Sequence, residues 1–342
     1  MIRFDCDYLE GAHPKILRKI VDTNYEQTPG YGNDIYTKSA LSKIKRLCNK
    51  ENIDIHFVSG GTQVNLVAIS SALKSYQGVI CVDTGHINVH EAGAIEATGH
   101  KVIITKNSNG KIKSNDIDRI MKDYLNDGAC EHMVMPKMVF ISFPTECGTT
   151  YTKDELKTIY DMCKKYGLYL YIDGARLGYG LMSKDTDINT LEDISDFCDM
   201  FCIGGTKCGA LFGEALIIIN DKLKIDFRHN MKQRGALLAK GRMLGIQFDV
   251  LMDNNLYFKI CKQAVDLAMQ LKEALLKKGY KLLYDSFSNQ QFVIINNDKL
   301  NELEKDFSFF KWKIIDENNT AVRICTSWAT VEENVDKLIE KL

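Results

Sequence analysis

Lys207 lies in Ile203-Gly204-Gly205-Thr206-Lys207-Cys208-Gly209-Ala210, a lysine among small residues directly behind a short apolar run. Most lysines are solvated surface residues. One enclosed by a Gly-rich turn between two strand patterns is instead placed as a Schiff-base nucleophile. Upstream, Tyr169-Leu170-Tyr171-Ile172-Asp173-Gly174-Ala175-Arg176 ends an apolar strand on a carboxylate, at the edge where open α/β sheets bind ligands. Asp173 there suits the protonated ring nitrogen of a pyridinium cofactor. Arg176, a turn later, suits a carboxylate held in a bidentate fork. The plainer reading is an Asp that caps a turn and pairs with the nearby Arg.

Three further stretches carry polar groups at element ends. In Ser59-Gly60-Gly61-Thr62-Gln63-Val64-Asn65 the two glycines let backbone approach a ligand and the following helix aims free N–H groups at it, as a phosphate requires, with Thr62 as an added donor. It matches neither a Walker loop nor GxGxxG, and a tight βα turn with a Thr N-cap fits it equally. In Gly85-His86-Ile87-Asn88-Val89-His90-Glu91-Ala92-Gly93, His86 follows a strand and could stack on an aromatic cofactor. His86 and His90, spaced i, i+4, could instead share a metal in a hydrolase, though no third ligand follows at HExxH spacing. Arg323, in Ala321-Val322-Arg323-Ile324-Cys325, lies inside a strand and needs a counter-charge if buried, such as a substrate carboxylate; an edge-strand Arg facing solvent is the rival. A cofactor-free binding domain is the remaining alternative class.

The elements that must position these groups alternate. Ile55–Val58, Val79–Val82, Val102–Thr105, Met138–Ser142, Leu168–Ile172, Met200–Ile203 and Ala215–Ile219 read as short, β-branched strands covered on both faces. Helical periods separate them, one being Leu156, Ile159, Tyr160 and Cys163. The expectation is an α/β large domain with a mostly parallel sheet over residues 1–250. After it, a helix near 256–276, strands at Lys281–Tyr284, Gln291–Ile295 and Ala321–Cys325, and a final helix carrying Val335 and Leu338 predict a smaller C-terminal α+β domain over residues 251–342. The first residues, up to about position 15, could pack on either part.

The 342 residues carry 45% hydrophobic and 26% charged side chains with a net charge of −1, which gives no basis for a nucleic-acid or anionic-membrane partner. No apolar run reaches the length of a membrane span, and Met1 to Asp5 do not open a signal peptide. The 11 cysteines contain no CxxC pair and read as reduced thiols of a cytoplasmic protein. No zinc pattern and no nucleophile elbow occurs; no metal is expected.

Taken in order, Tyr31-Gly32-Asn33-Asp34, Gly61-Thr62-Gln63-Val64-Asn65, His86…Glu91-Ala92-Gly93, Asp173-Gly174-Ala175-Arg176, Thr206-Lys207 and Val322-Arg323-Ile324 resemble the threonine aldolase and β-eliminating lyase family of fold-type-I pyridoxal-phosphate (PLP) enzymes. The resemblance runs from about residue 5 to 330. It implies the aspartate-aminotransferase-like fold and PLP as cofactor, with Lys207 as its Schiff-base lysine, Asp173 on the pyridine nitrogen, His86 against the ring, and Gly61 and Thr62 at the phosphate. It further implies Arg176 and Arg323 on the substrate carboxylate, Cys6 where the family has a serine, and Arg242 at the phosphate from a neighbouring subunit. A homodimer or homotetramer with shared sites and an amino-acid substrate follow from the same resemblance. The implied reaction is retro-aldol cleavage of L-threonine or L-allo-threonine to glycine and acetaldehyde. One position departs: in Phe143-Pro144-Thr145-Glu146-Cys147-Gly148, Glu146 stands where many threonine aldolases have a histidine near the substrate hydroxyl. Glu146 is therefore the expected catalytic base, with His86 and His90 behind it, and β-elimination by another lyase of the family is the alternative.

Overall fold

The seven expected strands form one sheet, in the spatial order Asp54–Val58, Glu214–Ile218, Met200–Gly204, Tyr169–Asp173, Met135–Ser142, Gln77–Val82, Val102–Thr105. This arrangement comes from a computed structural model that describes residues 1–342. Six strands are parallel; Glu214–Ile218 runs against both of its neighbours. Alternate side chains feed two cores. Val139, Ile141, Leu170, Ile172 and Ile203 point into one, and Met138, Phe140, Tyr171, Met200 and Cys202 into the other, all fully buried or nearly so. That two-sided burial is why these strands read as continuous apolar runs.

Helices cover both faces. Lys153–Tyr166 begins with a capping box, in which the Thr152 hydroxyl accepts the Glu155 N–H and the Glu155 carboxylate accepts the Thr152 N–H. Its Leu156, Ile159 and Cys163 enter the first core. Gly61–Ala72 covers the opposite face with Val64, Val67 and Ala68.

The C-terminal region is built on the helix Leu256–Lys277 and an antiparallel sheet ordered Phe310–Ile314, Asn319–Cys325, Gln290–Asn296, Lys281–Tyr284. Phe310–Ile314 is a strand the sequence reading passed over. Its Phe310, Trp312 and Ile314 alternate with Lys311 and Lys313, the pattern of a half-exposed edge blunted by lysines. Its presence puts Asn319–Cys325 inside the sheet, so the edge-strand reading of Arg323 is incorrect.

The N-terminal segment touches both parts. Ile2–Arg3 pairs with Phe307–Ser308, and Phe4 enters the core of the C-terminal region beside Val293 and Val322. Ala12 and Ile16 join the first core of the sheet domain. No helix is long and apolar enough to cross a membrane. All eleven cysteines are free, and all but Cys6 and Cys130 are buried.

Candidate active site

Ser142, Asp173 and Gly204 end three adjacent parallel strands at the same edge of the sheet, with Ser142 and Asp173 in direct register. The loops that follow them, and the turn carrying His86, converge on one cavity. It is lined by His86, Ser142, Glu146, Asp173, Arg176 and Lys207, with Pro144, Thr145 and Ala175. Gly174 lets two of these loops approach: a Cβ there would stand 2.0 Å from the carbonyl oxygen of Cys202.

The floor is a hydrogen-bonded network centred on Asn65, which is fully buried at the start of the second turn of Gly61–Ala72. Its Nδ2 donates to Asp173 Oδ2 at 2.9 Å and to Glu91 Oε1 at 2.7 Å, and its Oδ1 accepts the Tyr171 hydroxyl at 2.7 Å. Asp173 Oδ1 accepts the Ala175 N–H at 2.9 Å. Glu91 Oε1 lies 2.7 Å from His86 Nδ1. An ionised Glu91 accepts only, so Nδ1 carries the hydrogen and Nε2 is left to the cleft. The second Glu91 oxygen is buried without a partner.

Lys207 lines the same cavity. Burial and the Arg176 guanidinium lower its pKa from the ordinary lysine value, against the opposing pull of Asp7, Asp173 and Glu214. A buried amine of lowered basicity is nucleophilic nearer neutral pH. The Tyr179 hydroxyl donates to the Lys207 carbonyl at 2.5 Å and steadies the backbone of the turn.

The two arginines differ in how far they are already engaged. Arg176 Nε and Nη2 bind Asp7 bidentately at 2.7 and 3.0 Å, with Asp7 fully buried. The fork expected for a substrate carboxylate is thus filled by this chain's own aspartate, and of its donors Nη1 is left. Arg323 has no carboxylate partner. Its Nη2 donates to the Asp5 carbonyl at 3.0 Å, its Nη1 to Gln290 Oε1 at 3.3 Å, and its Nε is buried without a partner. The guanidinium carbon lies 4.8 Å from the centre of the Phe310 ring, which faces it but supplies no anion. Cys6 sits between Asp5, which meets Arg323, and Asp7, which meets Arg176.

Glu146 is held by two donors on one oxygen: the Ser142 hydroxyl at 2.6 Å and the His86 N–H at 2.9 Å. Burial raises its pKa above the usual carboxylate range, with Ser142 and His86 opposing. His90 has its ring 5.5 Å from that of His86, and burial followed by the His86 charge lowers its pKa. The metal-sharing pair His86–His90 is not what the geometry groups. His86, Glu91 and Asp173 each offer one ligand atom within 4.8 Å of one another, and Asn65 and the His86 ring already engage those carboxylates.

Gly60 is the N-cap of Gly61–Ala72 and no side chain caps the helix. A Cβ at Gly60 or Gly61 would meet nothing within 4 Å, so the first N–H groups, with Thr62, face open space. The donor set fits an anion there, a cation-binding carboxylate at Asp173 and an amine at Lys207, which together match a phosphorylated pyridine aldehyde. Arg242 is not part of this cluster. Its Nη1 and Nη2 donate to the Glu26 and Asn24 carbonyls at 2.8 and 3.2 Å.

Asp7, Asn65, Glu91 and Glu214 shape the site although none of them was a candidate site residue in the sequence. Asn65 had a signal, a polar residue near the start of a helix whose next residues are apolar. Asp7 stands in Cys6-Asp7, where the resembled family has a Ser-Asp pair, but its partner Arg176 is remote in the chain and the pairing itself had no local signal.

Known proteins share this architecture. A threonine aldolase structure from Leishmania major is 46% identical, covers 99% of this chain and 98% of its own, and superposes with a TM-score of 0.96. A low specificity L-threonine aldolase of a Pseudomonas species is 29% identical over 98% of this chain and 95% of its own length. The histidinol-phosphate aminotransferase of Clostridium acetobutylicum, 14% identical, superposes over 100% of this chain and 98% of its own with a TM-score of 0.74, a likeness of fold alone. The fold is therefore that of the fold-type-I enzymes. With the beta-eliminating lyase model matching residues 15–298, and with the lysine, aspartate and histidine of one cleft in place, the chain belongs to the beta-eliminating lyase family.

Proposed function

We propose that this chain is a PLP-dependent lyase that cleaves β-hydroxy-α-amino acids, L-threonine and L-allo-threonine among them, to glycine and an aldehyde. The observation that carries the reading is the convergence of Lys207, Asp173 and His86 on one cleft. Two of the proteins named above are threonine aldolases matched over nearly their whole length, which supports the same reaction class.

Lys207 would hold the cofactor through its amine, Asp173 would pair with the ring nitrogen, His86 would lie against the ring, and the helix starting at Gly61, with Thr62, would take the phosphate. Bound there, PLP supplies an electron sink for the pair released when the Cα–Cβ bond breaks. Arg323, which has no carboxylate partner, would take the substrate carboxylate, with Arg176 Nη1 and the Cys6 thiol as further donors. Glu146 takes the proton of the β-hydroxyl: burial makes it a stronger base than a solvated carboxylate, and Ser142 and the His86 amide hold it in place. His86 Nε2 and His90 are the other bases in reach of the cleft. Arg242 would serve a phosphate only from a second copy, in a homodimer or homotetramer with shared sites, which is the assembly proposed here in a cytoplasmic setting.

The test is direct. Borohydride reduction of the cofactor-loaded protein followed by peptide mapping traps the cofactor on Lys207, and Lys207→Ala abolishes turnover. Label on any other lysine ends the assignment. L-threonine and L-allo-threonine each yield glycine and acetaldehyde. Pyruvate or ammonia from serine or cysteine, with no glycine from either threonine, moves the reaction to β-elimination.

A further inference from the structure

Glu214 opens the antiparallel strand of the main sheet, in register with Gly204 on one side and Val58 on the other. It is 3% exposed. Its Oε2 accepts the Gly205 N–H at 2.9 Å. The Thr206 hydroxyl accepts the Gly213 N–H at 3.0 Å, and its closeness to Glu214 favours the ionised carboxylate. The Gly213 carbonyl in turn takes the N–H groups of Gly205 and Thr206, each at 3.1 Å. Both residues before Lys207 are therefore tied to positions 213 and 214.

The charged and titratable groups facing Glu214 come from three elements. Lys207 lies on the turn it clamps, Tyr171 and Asp173 on the strand Tyr169–Asp173, and Cys202 on Met200–Gly204. Its partner on Asp54–Val58 is the apolar Val58. Burial raises the pKa of Tyr171 and Cys202 well above the usual values, which keeps both neutral. Lys207 is thus the cation of this group. None of the roles assigned to the cleft uses Glu214, yet a buried carboxylate persists only with compensating partners.

We propose that Glu214 is a positioning residue for Lys207: it clamps the turn that aims the amine into the cleft, and its charge sets how firmly that nitrogen holds a proton. The proposal rests on the reading that Lys207 carries the cofactor. Burial pushes the Glu214 carboxyl up to about 7, with Thr206 and Lys207 pulling the other way. Below that pH Glu214 is a neutral acid. Above it, the anion favours the protonated form of the neighbouring nitrogen. Removing the carboxylate lowers the pH at which the nitrogen deprotonates, and the effect is confined to the alkaline side.

The cofactor-loaded wild type and Glu214→Gln are titrated from about pH 5 to about pH 10 while the visible absorption band of the cofactor is followed. The carboxamide oxygen of the variant keeps the Gly205 N–H bond, so the comparison isolates the charge. The midpoint of the band's pH transition falls by about half a pH unit or more, an about threefold change in the proton equilibrium, while the two spectra coincide below about pH 6. Coinciding midpoints overturn the proposal. If Glu214→Gln fails to fold, Thr206→Val, which weakens the hold on the ionised carboxylate, moves the midpoint the same way, and an unmoved midpoint again overturns it. A protein that develops no visible band, or that borohydride traps at another lysine, refutes the Lys207 reading and the Glu214 proposal with it. A band on Lys207 that ignores Glu214 refutes the proposal alone.

Discussion

Asn65 fixes the geometry of the cleft floor because its one amide group satisfies two carboxylates and a phenol at once. Without it, Asp173 and Glu91 would face each other as buried like charges, a costly arrangement. Arg323 is the opposite case, a guanidinium whose surroundings leave it a donor to spare. If it binds the substrate carboxylate, Arg323→Ala removes a charge-assisted bond of about 1.5–3 kcal/mol, equal to a rise in KM for threonine of about 10- to 150-fold. Cofactor affinity, read from the same absorption band, stays near wild type. An amine lacking the carboxylate that reacts as well as threonine contradicts the assignment.

The helix Gly61–Ala72 works as an element, through its uncapped end. Four N–H groups and the positive end of the dipole are available to an anion because Gly60 brings no side chain. Gly60 has φ −175° and ψ 167°, extended backbone open to any residue, and the space before it is free. Gly60→Asp therefore places a favoured N-cap there, and the cofactor-free protein keeps or slightly gains thermal stability. The same carboxylate competes with the cofactor phosphate, so PLP affinity falls at least about tenfold, a loss of about 1.4 kcal/mol. A titration of PLP into both proteins, beside their melting curves, checks the two effects separately. Unchanged affinity would remove this helix from the phosphate site.

Across the whole molecule, Asp7 joins three parts of the fold. It accepts two bonds from Arg176 of the sheet domain and one from Asn289 Nδ2 at 2.9 Å in the C-terminal region, while itself belonging to the N-terminal segment. Breaking such a buried pair leaves Arg176 uncompensated, and Asp7→Ala costs about 3–5 kcal/mol in a denaturant titration at neutral pH. Burial alone would raise the Asp7 carboxyl, but the Arg176 and Lys207 charges outweigh it and hold the pKa below the ordinary range. A lowered folded-state pKa means stability that is complete above the unfolded value of about 3.9 and lost as pH falls through the folded one. The gap between wild type and Asp7→Ala accordingly narrows in acid below about pH 4. A gap that stays constant into strong acid would show that the pair's charge is not the source of the stability.

What the chain determines by itself is what short-range patterning encodes. The seven sheet strands, the helix Leu256–Lys277 and the capped helix Lys153–Tyr166 are each legible within a few residues, because period, propensity and capping act locally. So are the individual chemical candidates, since Gly-rich turns behind apolar runs mark where backbone can approach a ligand: Lys207, Asp173, His86 and Gly61 all sit in such turns. Only the tertiary structure decides how their charges are distributed. Arg176 is committed to Asp7, Arg323 is left open, and Glu214 holds the turn before Lys207, because each pairing depends on strand order, and strand order is set by the packing of two cores rather than by any local spacing. The edge strand Phe310–Ile314 makes the same point, since its pattern was visible but its place, which encloses Arg323, came from pairing with Asn319–Cys325 across the sheet.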